Sequence, residues 1–196
     1  MSVNYNYDKK RFEAFIDAII AILLTILVLE IRVPDDEEHQ SLSTYKQVVS
    51  LLPVFVSYIA SFLLIVGFWI DYHILFVNIS HISKRFILLN MLFVLSVSFA
   101  PFTTAFAGTH YNDSFAVSLL MTNYFFTNLF FSLLYAYAMK KNLVDPQFWI
   151  DNKSTGIYSV IGIIMILVSI PLAFFHTYTS FTLAILVFFG HLMKKK

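Results

Sequence analysis

The stretch Arg11–Pro34, RFEAFIDAIIAILLTILVLEIRVP, decides the fold of this chain. Between Phe12 and Val33 only four charged residues interrupt it. It is long enough to cross a bilayer core about 30 Å thick, which takes about 20 helical residues. Residues 1–11 are polar and no small-residue cleavage site follows, so we expect no removable signal peptide. The sequence therefore predicts a first helix that stays in the membrane.

The composition of the whole 196-residue chain is that of a membrane protein. It is 59% hydrophobic, 18% aromatic and 13% charged, whereas soluble domains are about 45–50% apolar and about 25% charged. A soluble enzyme and a disordered tail are thereby excluded. Thirteen basic and twelve acidic residues leave a net charge of +1 and no basic face, so we expect no nucleic-acid partner. The absence of cysteine excludes disulfides and thiolate metal sites.

Charge-poor segments of membrane-spanning length recur along the chain. The last one, 154–193, contains no Asp, Glu, Lys or Arg and is too long for one helix. Pro171 and His176 near its middle predict a tight turn there. The chain is therefore predicted to be an all-α, polytopic membrane protein, a single six-helix domain over residues 1–196. The predicted spans are 12–33, 48–70, 86–107, 114–139, 154–175 and 177–193.

The basic residues predict how these six helices are oriented. Cytoplasmic loops carry an excess of Lys and Arg, and an even number of spans places eleven of the thirteen on one side with both termini. Both termini are therefore predicted to be cytoplasmic. Arg32 and Lys46 are the two basic residues predicted to lie outside. The eleven on the inner side are Lys9, Lys10, Arg11, Lys84, Arg85, Lys140, Lys141, Lys153, Lys194, Lys195 and Lys196.

Asp17 is a carboxylate inside the first predicted span. Such a group costs roughly 2.5–3.5 kcal/mol at the centre of a membrane helix, so it usually has a partner. One interpretation is a carboxylate satisfied by neighbouring helices, and the other is a proton or cation site on a pathway. Partners predicted at the same depth are Trp69, Asp71, His73 and Asn90. The residues alone leave both interpretations open.

An apolar line follows the first helix on a face other than that of Asp17. At about 100° per residue, Ile22 lies about 140° around the helix from Asp17, and Ile26 and Leu29 lie within about 40° of Ile22. Thr25 places one hydroxyl beside this line. Such a line faces lipid, a neighbouring helix or a pore, and periodicity does not distinguish these in a helix that is apolar nearly all round.

Several motifs of catalytic and ion-binding sites are absent from the sequence. It contains no HExxH helix, no GxSxG elbow and no phosphate-binding glycine loop. We therefore expect no enzyme, no cofactor and no resident metal. It also contains no TVGYG run, which excludes a potassium filter built from rings of carbonyl groups.

Motifs in the first half of the chain resemble a known family. The first helix has a basic residue, three variable positions, then a Phe-x-Asp-Ala element and a TxLVLEI-like run. This pattern is similar to the opening helix of the bacterial transmembrane protein 175 family, prokaryotic relatives of the lysosomal potassium channel. Ile16 stands where that family has serine, which removes one hydroxyl from its inner network. The matching positions are Arg11, Phe15, Asp17, Ala18, Thr25 and 27–31, then GFWIDYH at 67–73, Leu89-Asn90 and PFTTA at 101–105.

The resemblance implies a potassium-selective cation channel in the bacterial plasma membrane. Its partners would be potassium and other monovalent cations, membrane lipid, and further copies of the chain in a homotetramer whose first helices line a central pore. The hydrophobic constriction, acting as gate and filter, would fall on Ile22, with Ile26 and Leu29 as further layers and Thr25 near the narrow part. An inter-helix polar network holding the pore helix would comprise Arg11, Phe15, Asp17, Trp69, His73 and Asn90.

Four acids follow the first span: Asp35, Asp36, Glu37 and Glu38. In a tetramer they would gather around the outer mouth and enrich cations locally, although an ordinary solvated loop explains such a run equally well. Two other classes of protein stay open. One is a proton-coupled secondary transporter using Asp17 and His73, which the absence of paired broken helices disfavours. The other is an accessory membrane subunit with no transport of its own.

Overall fold

The structure of this chain is a computed structural model that describes residues 7–33, 41–151, 153–180, 182–183 and 186. The described residues are α-helical apart from turns, loops and one isolated bridge between Ile79 and Val144. This confirms the predicted all-α class. The helices are α1 (Lys9–Leu29), α2 (Thr44–Ser50), α3 (Leu52–Asn78), α4 (Lys84–Ser98), α5 (Ala100–Thr109), α6 (Ser114–Lys140), α7 (Pro146–Asp151) and α8 (Lys153–Leu172).

Polar residues fix where three of these helices begin. The Asp8 carboxylate accepts hydrogen bonds from the backbone N–H groups of Lys10 and Arg11, at 3.0 and 3.2 Å. The Asp113 carboxylate likewise accepts from two backbone N–H groups at the start of α6, and the Ser83 hydroxyl accepts from one at the start of α4. These oxygens satisfy donors that the first helical turn leaves without an intrahelical partner.

The first helix ends earlier than its apolar run predicts. The predicted span reaches Val33, but α1 ends at Leu29, with Glu30 as its C-cap. Proline disfavours helical geometry in the residue before it, so Pro34 limits any continuation at Val33. The apolar pattern therefore marks the segment correctly and overestimates its helical part.

Four segments of the described chain are long and apolar enough to cross a membrane: α1, α3, the pair α4–α5 and α6. They correspond to the first four predicted spans. Within α8 the apolar part, Val160–Leu172, is shorter. Helical residues resume at 177 after a turn, and the Ser180 hydroxyl donates to the Ser169 carbonyl at 2.9 Å across that turn. Most of the predicted sixth span lies outside the described residues, so six spans and cytoplasmic termini stay predictions.

The third spanning segment is broken between α4 and α5 at Phe99. Pro101 lacks a backbone N–H and interrupts the helical hydrogen bonds. The Asn123 amide, on α6, donates to the Ser96 carbonyl at 2.8 Å. The Thr103 hydroxyl donates to the Phe99 carbonyl at 3.2 Å. These side-chain bonds add to those that the two carbonyls accept from the backbone N–H groups of Phe99 and Thr103, at 3.3 and 3.1 Å, so no carbonyl named here is left without a donor, as a bilayer interior requires.

Close packing and buried hydroxyls hold α3 against α5 and α6. The Ser61 hydroxyl, on α3, is 2.6 Å from that of Thr104, on α5, and is also hydrogen-bonded to the Tyr124 hydroxyl, on α6. Nearer the end of α5, a Cβ atom added at Gly108 would lie 2.9 Å from the Val54 Cα atom. Glycine is therefore required at this crossing of α3 and α5. Of these helices, α3 and α5 also pack against α1.

Candidate pore-lining helix

One face of α1 is covered by the rest of the chain. It packs against α3, α4 and α5. Its buried side chains are Ile16, Ile20, Leu23 and Leu27, each at most 7% exposed. Ile16, at the position of the family serine, is fully buried among them. In this chain that position belongs to the apolar packing of the helix.

The predicted apolar line lies on the other, uncovered face of α1. Ile22 is 56% exposed, Ile26 38% and Leu29 68%. Thr25 is also exposed, and its hydroxyl donates to the Ile22 carbonyl at 2.7 Å. These four residues therefore present a surface of branched apolar side chains with one hydroxyl, and nothing in the described chain covers that surface.

Polar contacts at four-residue intervals join α1 to α3. Trp69 Nε1 donates to Asp17 Oδ1 at 3.0 Å, and one turn away Glu13 Oε1 lies 3.6 Å from His73 Nδ1. The rings of Trp69 and His73 stack, with 5.8 Å between their centroids. The residue numbers of the contacting pairs decrease along α1 as they increase along α3, so the two helices are antiparallel. Trp69 thus contacts both Asp17 and His73, whereas the ionic partner of His73 is Glu13 and not Asp17.

Lys9 makes the last contact of this series. Its ammonium group donates to the carbonyls of Ile79 and Val77, at 2.6 and 3.2 Å, and it lies 5.9 Å from the centre of the Phe76 ring. A cation is favourable at the C-terminal end of a helix, where carbonyl groups lack partners. Phe12 stacks on Phe76 beside it, with 6.0 Å between centroids. Lys9 therefore ties the beginning of α1 to the end of α3.

Among the described residues, no hydrogen bond connects Asn90, Arg11 or Phe15 to the other members of the predicted network. The Asn90 amide is fully buried and donates to the Phe86 carbonyl of its own helix at 2.9 Å. Arg11 is exposed and, with the half-exposed Phe15, lines a surface cavity of about 470 Å³. The observed contacts therefore run along the α1–α3 seam and do not reach α4.

Lys9 and Glu13 are the residues that sequence reasoning missed. Glu13 precedes Asp17 by four residues, and Trp69 precedes His73 by four. Residues four apart lie on the same side of a helix. The pair Glu13 and Asp17 on one helix and the pair Trp69 and His73 on the other have the same spacing. This pattern could have predicted two successive polar contacts between the helices. The predicted outer acids Asp35, Asp36, Glu37 and Glu38 lie outside the described residues.

Comparison with known families matches the part of the chain that contains this seam. Residues 11–101 match the model of a family described as endosomal/lysosomal potassium channel TMEM175. A potassium channel of Chamaesiphon minutus is 35% identical over 95 residues, which are 48% of this chain and 47% of that protein. One of Chryseobacterium is 31% identical over 126 residues, 62% of each chain. The matches thus span about half the length of these curated relatives.

The vertebrate relatives carry a different description. The human protein, named endosomal/lysosomal proton channel TMEM175, is 27% identical over 158 residues, which are 74% of this chain and 31% of that protein. All of these relatives are described as ion channels. The prediction that the chain is not an enzyme is confirmed by this family.

Solved structures show the same fold. The crystal structure of a lysosomal potassium-selective channel TMEM175 homolog from Chamaesiphon minutus superposes with a TM-score of 0.85 at 23% identity. The match covers 95% of this chain and 97% of that one. The fold, the motifs of α1 and α3 and the matched residues 11–101 agree, and through them this integral membrane protein is similar to the TMEM175 family over the first half of the chain.

Proposed function

We propose that four copies of this chain assemble around α1 to form a potassium-permeable pore in the bacterial plasma membrane, with both termini cytoplasmic and six spans per copy. One observation carries the proposal: Ile22, Ile26 and Leu29 form an uncovered apolar face on the helix that the family motif marks. A single copy encloses no channel with one helix, whereas closed cyclic symmetry repeats that helix around an axis. The potassium channels among the bacterial relatives support potassium as the permeant ion.

In this assembly Ile22 forms the hydrophobic constriction, Ile26 and Leu29 form further layers, and Thr25 lies near the narrow part. A ring of isoleucines offers no ligand, so a passing ion sheds part of its water or the ring widens. Potassium loses water more easily than sodium, which favours potassium to a modest degree. A narrow ring would dewet and stop conduction, so the same residues serve as gate and filter.

The contacts of α1 with α3 would hold the pore helix in place. Asp17 and Glu13 are then anchoring groups, bound by Trp69 and His73, and Lys9 fixes the inner end of the helix. The four acids that follow α1 in the chain would surround the outer mouth and attract cations. These roles follow from the proposed position of α1 at the axis.

Flux through liposomes tests the constriction. The protein with Ile22→Asn, reconstituted in potassium-loaded vesicles, is expected to conduct several-fold more potassium and to prefer potassium over sodium less, because a polar ring stays wet. Val28→Asn is the matched control, since Val28 is also exposed and lies about 120° around α1 from Ile22. Unchanged flux and selectivity with Ile22→Asn would remove Ile22 from the pore.

A proton-coupled transporter is the second candidate, and the titratable groups Asp17, Glu13 and His73 along one seam favour it. The same vesicles distinguish the two functions. A channel gives potassium flux that follows the electrochemical gradient without a proton gradient, whereas a transporter gives flux strictly coupled to protons. Proton flux is measured in parallel, because the vertebrate relatives are named proton channels. No flux under any gradient would indicate an accessory subunit.

A further inference from the structure

A cavity of about 300 Å³ lies between the end of α1 and the helices α3 and α5. It is separate from the α1–α3 polar seam, which lies toward the beginning of α1. One part of its wall is apolar and aromatic, and another part carries two opposite charges. The lining includes Glu30 and Arg32 from the end of α1, Val54 from α3, and Phe102, Phe106 and Thr109 from α5.

Glu30 and Arg32 are the charged residues of this cavity, and they are not paired with each other. Glu30 is the C-cap of α1 and is half-buried, whereas Arg32 is exposed. Among the described residues neither side chain makes an ion pair or a hydrogen bond. A carboxylate is unfavourable at the C-terminal end of a helix, and partial burial without a partner adds to that cost. Glu30 is therefore suited to a positively charged group, and the Arg32 guanidinium to an anionic one.

The remaining side chains add an aromatic surface and no competing charge. Phe102 and Phe106 stack with 6.0 Å between ring centroids, and phenylalanine rings attract ammonium groups over their faces. The Thr109 hydroxyl donates to the Ala105 and Phe106 carbonyls of its own helix, at 2.9 and 3.1 Å, so its proton is already used. A ligand that carries an ammonium group and a phosphate on an apolar body matches this lining.

The depth of the cavity indicates that such a ligand is a lipid. α1 has 21 residues and extends about 30 Å, which is the thickness of the hydrocarbon core of a bilayer. Glu30 directly follows its last residue, and Thr109 is the last residue of α5, so both lie at the boundary between the hydrocarbon and the headgroups. Phe102 lies two turns deeper along α5 and is 56% exposed. An acyl chain therefore has access to the apolar wall.

We propose that this cavity binds the headgroup of a zwitterionic aminophospholipid such as phosphatidylethanolamine. The Glu30 carboxylate accepts from the ammonium group, the Arg32 guanidinium donates to the phosphate, and the acyl chain lies along Phe102. The two charged residues thus recognise different parts of one headgroup, and the carboxylate at the end of α1 gains a counter-ion. The inference does not depend on the chain being a channel.

Two photoactivatable lipids with identical acyl chains test this recognition, a phosphatidylethanolamine and a phosphatidylglycerol, each with a diazirine near the glycerol. The full chain in phosphatidylglycerol vesicles is labelled with each, and the labelled residues are mapped by mass spectrometry. Residues 102–109 are expected to take up about three-fold more of the ethanolamine probe, the preference that one partly exposed ion pair supplies. Equal labelling by the two probes, or more labelling by the glycerol probe, would overturn the proposal.

Glu30→Gln and Arg32→Gln are expected to change the labelling in different ways. Without the carboxylate, the ethanolamine-to-glycerol ratio falls close to one. Without the guanidinium, both probes label about two- to three-fold less, because both contain a phosphate, and their ratio is kept. A ratio that survives Glu30→Gln, or labelling that Arg32→Gln leaves unchanged, would contradict the proposed roles.

Two matched controls remove charges at the same end of the bundle. Asp113→Asn removes an exposed acid and keeps a residue that caps α6, and Lys46→Gln removes an exposed cation on α2. Both are expected to keep the label and its ratio. An effect of Asp113→Asn equal to that of Glu30→Gln would overturn the proposal, because surface charge alone would then explain the preference.

The same labelling distinguishes the lipid from other occupants. Added soluble phosphoethanolamine is expected to leave the label in place, because the acyl chain holds the lipid at the cavity. Loss of the label would assign the site to a soluble zwitterion and overturn the lipid. Absence of label at residues 102–109 would also overturn it, because a second copy or another segment of this chain would then fill the cavity.

Discussion

The side chains between α1 and α3 connect helices whose surfaces are otherwise apolar. Trp69 donates to Asp17, and His73 lies beside Glu13. His73 is about half exposed and Trp69 is 37% exposed, so solvent or lipid headgroups reach part of this seam. Hydrogen bonds between membrane helices contribute about 0.6 kcal/mol on average. The pairs therefore set the register of α1 more than they stabilise the molecule.

Trp69→Phe tests the first of these pairs. The substitution keeps an aromatic ring and removes the indole N–H, so the free energy of unfolding in detergent is expected to fall by about 0.5–1.5 kcal/mol. It is measured by denaturant titration of helical circular dichroism. The control is a double-mutant cycle with Asp17→Ala, which removes the acceptor. If the two substitutions add without coupling, the hydrogen bond does not contribute to stability.

The sequence predicts part of this seam and omits the rest for a physical reason. A carboxylate such as Asp17 is costly in a membrane and needs a partner, and that argument points to Trp69, which donates to it. His73, the other expected partner, lies beside Glu13 instead. It does not identify Lys9, whose acceptors are backbone carbonyls that no side-chain pattern reveals. Nor does it exclude Asn90, because the depth of a residue does not show which way its side chain points.

At the scale of helices, the fold depends on how closely α3 approaches α5. Gly108 faces Val54 and Ser57 at distances that leave no room for a side chain. Small residues at membrane helix crossings permit such contacts, and packing then replaces the hydrophobic effect that lipid does not supply. The Ser61, Thr104 and Tyr124 hydroxyls meet further along the same crossing. The packing of α3 on α5, behind α1, is therefore sensitive to any side-chain volume added at Gly108.

Gly108→Ala is expected to destabilise the protein by about 1–3 kcal/mol, the usual cost of overpacking. The new methyl group meets backbone at Val54 Cα, 2.9 Å away, so α3 and α5 must separate. Alanine itself favours helix over glycine by about 1 kcal/mol, and a net loss would therefore show that the contact dominates. Thr109→Ala, at an exposed neighbour, is the control and is expected to be close to neutral. A stabilised Gly108→Ala variant would contradict the close approach.

For α1, the sequence predicts the existence of the helix and the alignment of its apolar line. The packed face and the uncovered face are both made of isoleucine and leucine, so hydropathy does not separate Ile20 and Leu23 from Ile22 and Ile26. Only the arrangement of α3, α4 and α5 shows which face is covered. The end of α1 is missed for a related reason, because an apolar run continues past the last helical residue.

For the whole molecule, the ends of the spanning segments differ in charge. Lys84 and Arg85 begin α4, and Lys140 ends α6, whereas the connection from α5 to α6 contains one acid, Asp113, and no Lys or Arg. The positive-inside rule assigns the basic ends to the cytoplasm. The natural sequence contains no cysteine, which allows this assignment to be measured with single introduced thiols.

Asp113→Cys and Lys141→Cys form a matched pair for this measurement, since both positions are exposed at opposite ends of α6. A membrane-impermeant thiol reagent added to intact cells is expected to label the first variant and to spare the second. After the cells are opened, both are expected to react. Labelling of Lys141→Cys in intact cells would reverse the orientation and place both termini outside.

The break at Phe99 has a consequence for how the protein is made. Asn123 satisfies the Ser96 carbonyl beside the break, yet Asn123 is synthesised only after α5 and the connection to α6. Until then the Ser96 carbonyl has only the backbone N–H of Phe99, at 3.3 Å, as its donor. The stronger hydrogen bond to this carbonyl, at 2.8 Å, therefore forms only after α6 has been made and has packed against α4. The order of synthesis and the order of hydrogen bonding are thus coupled in this chain.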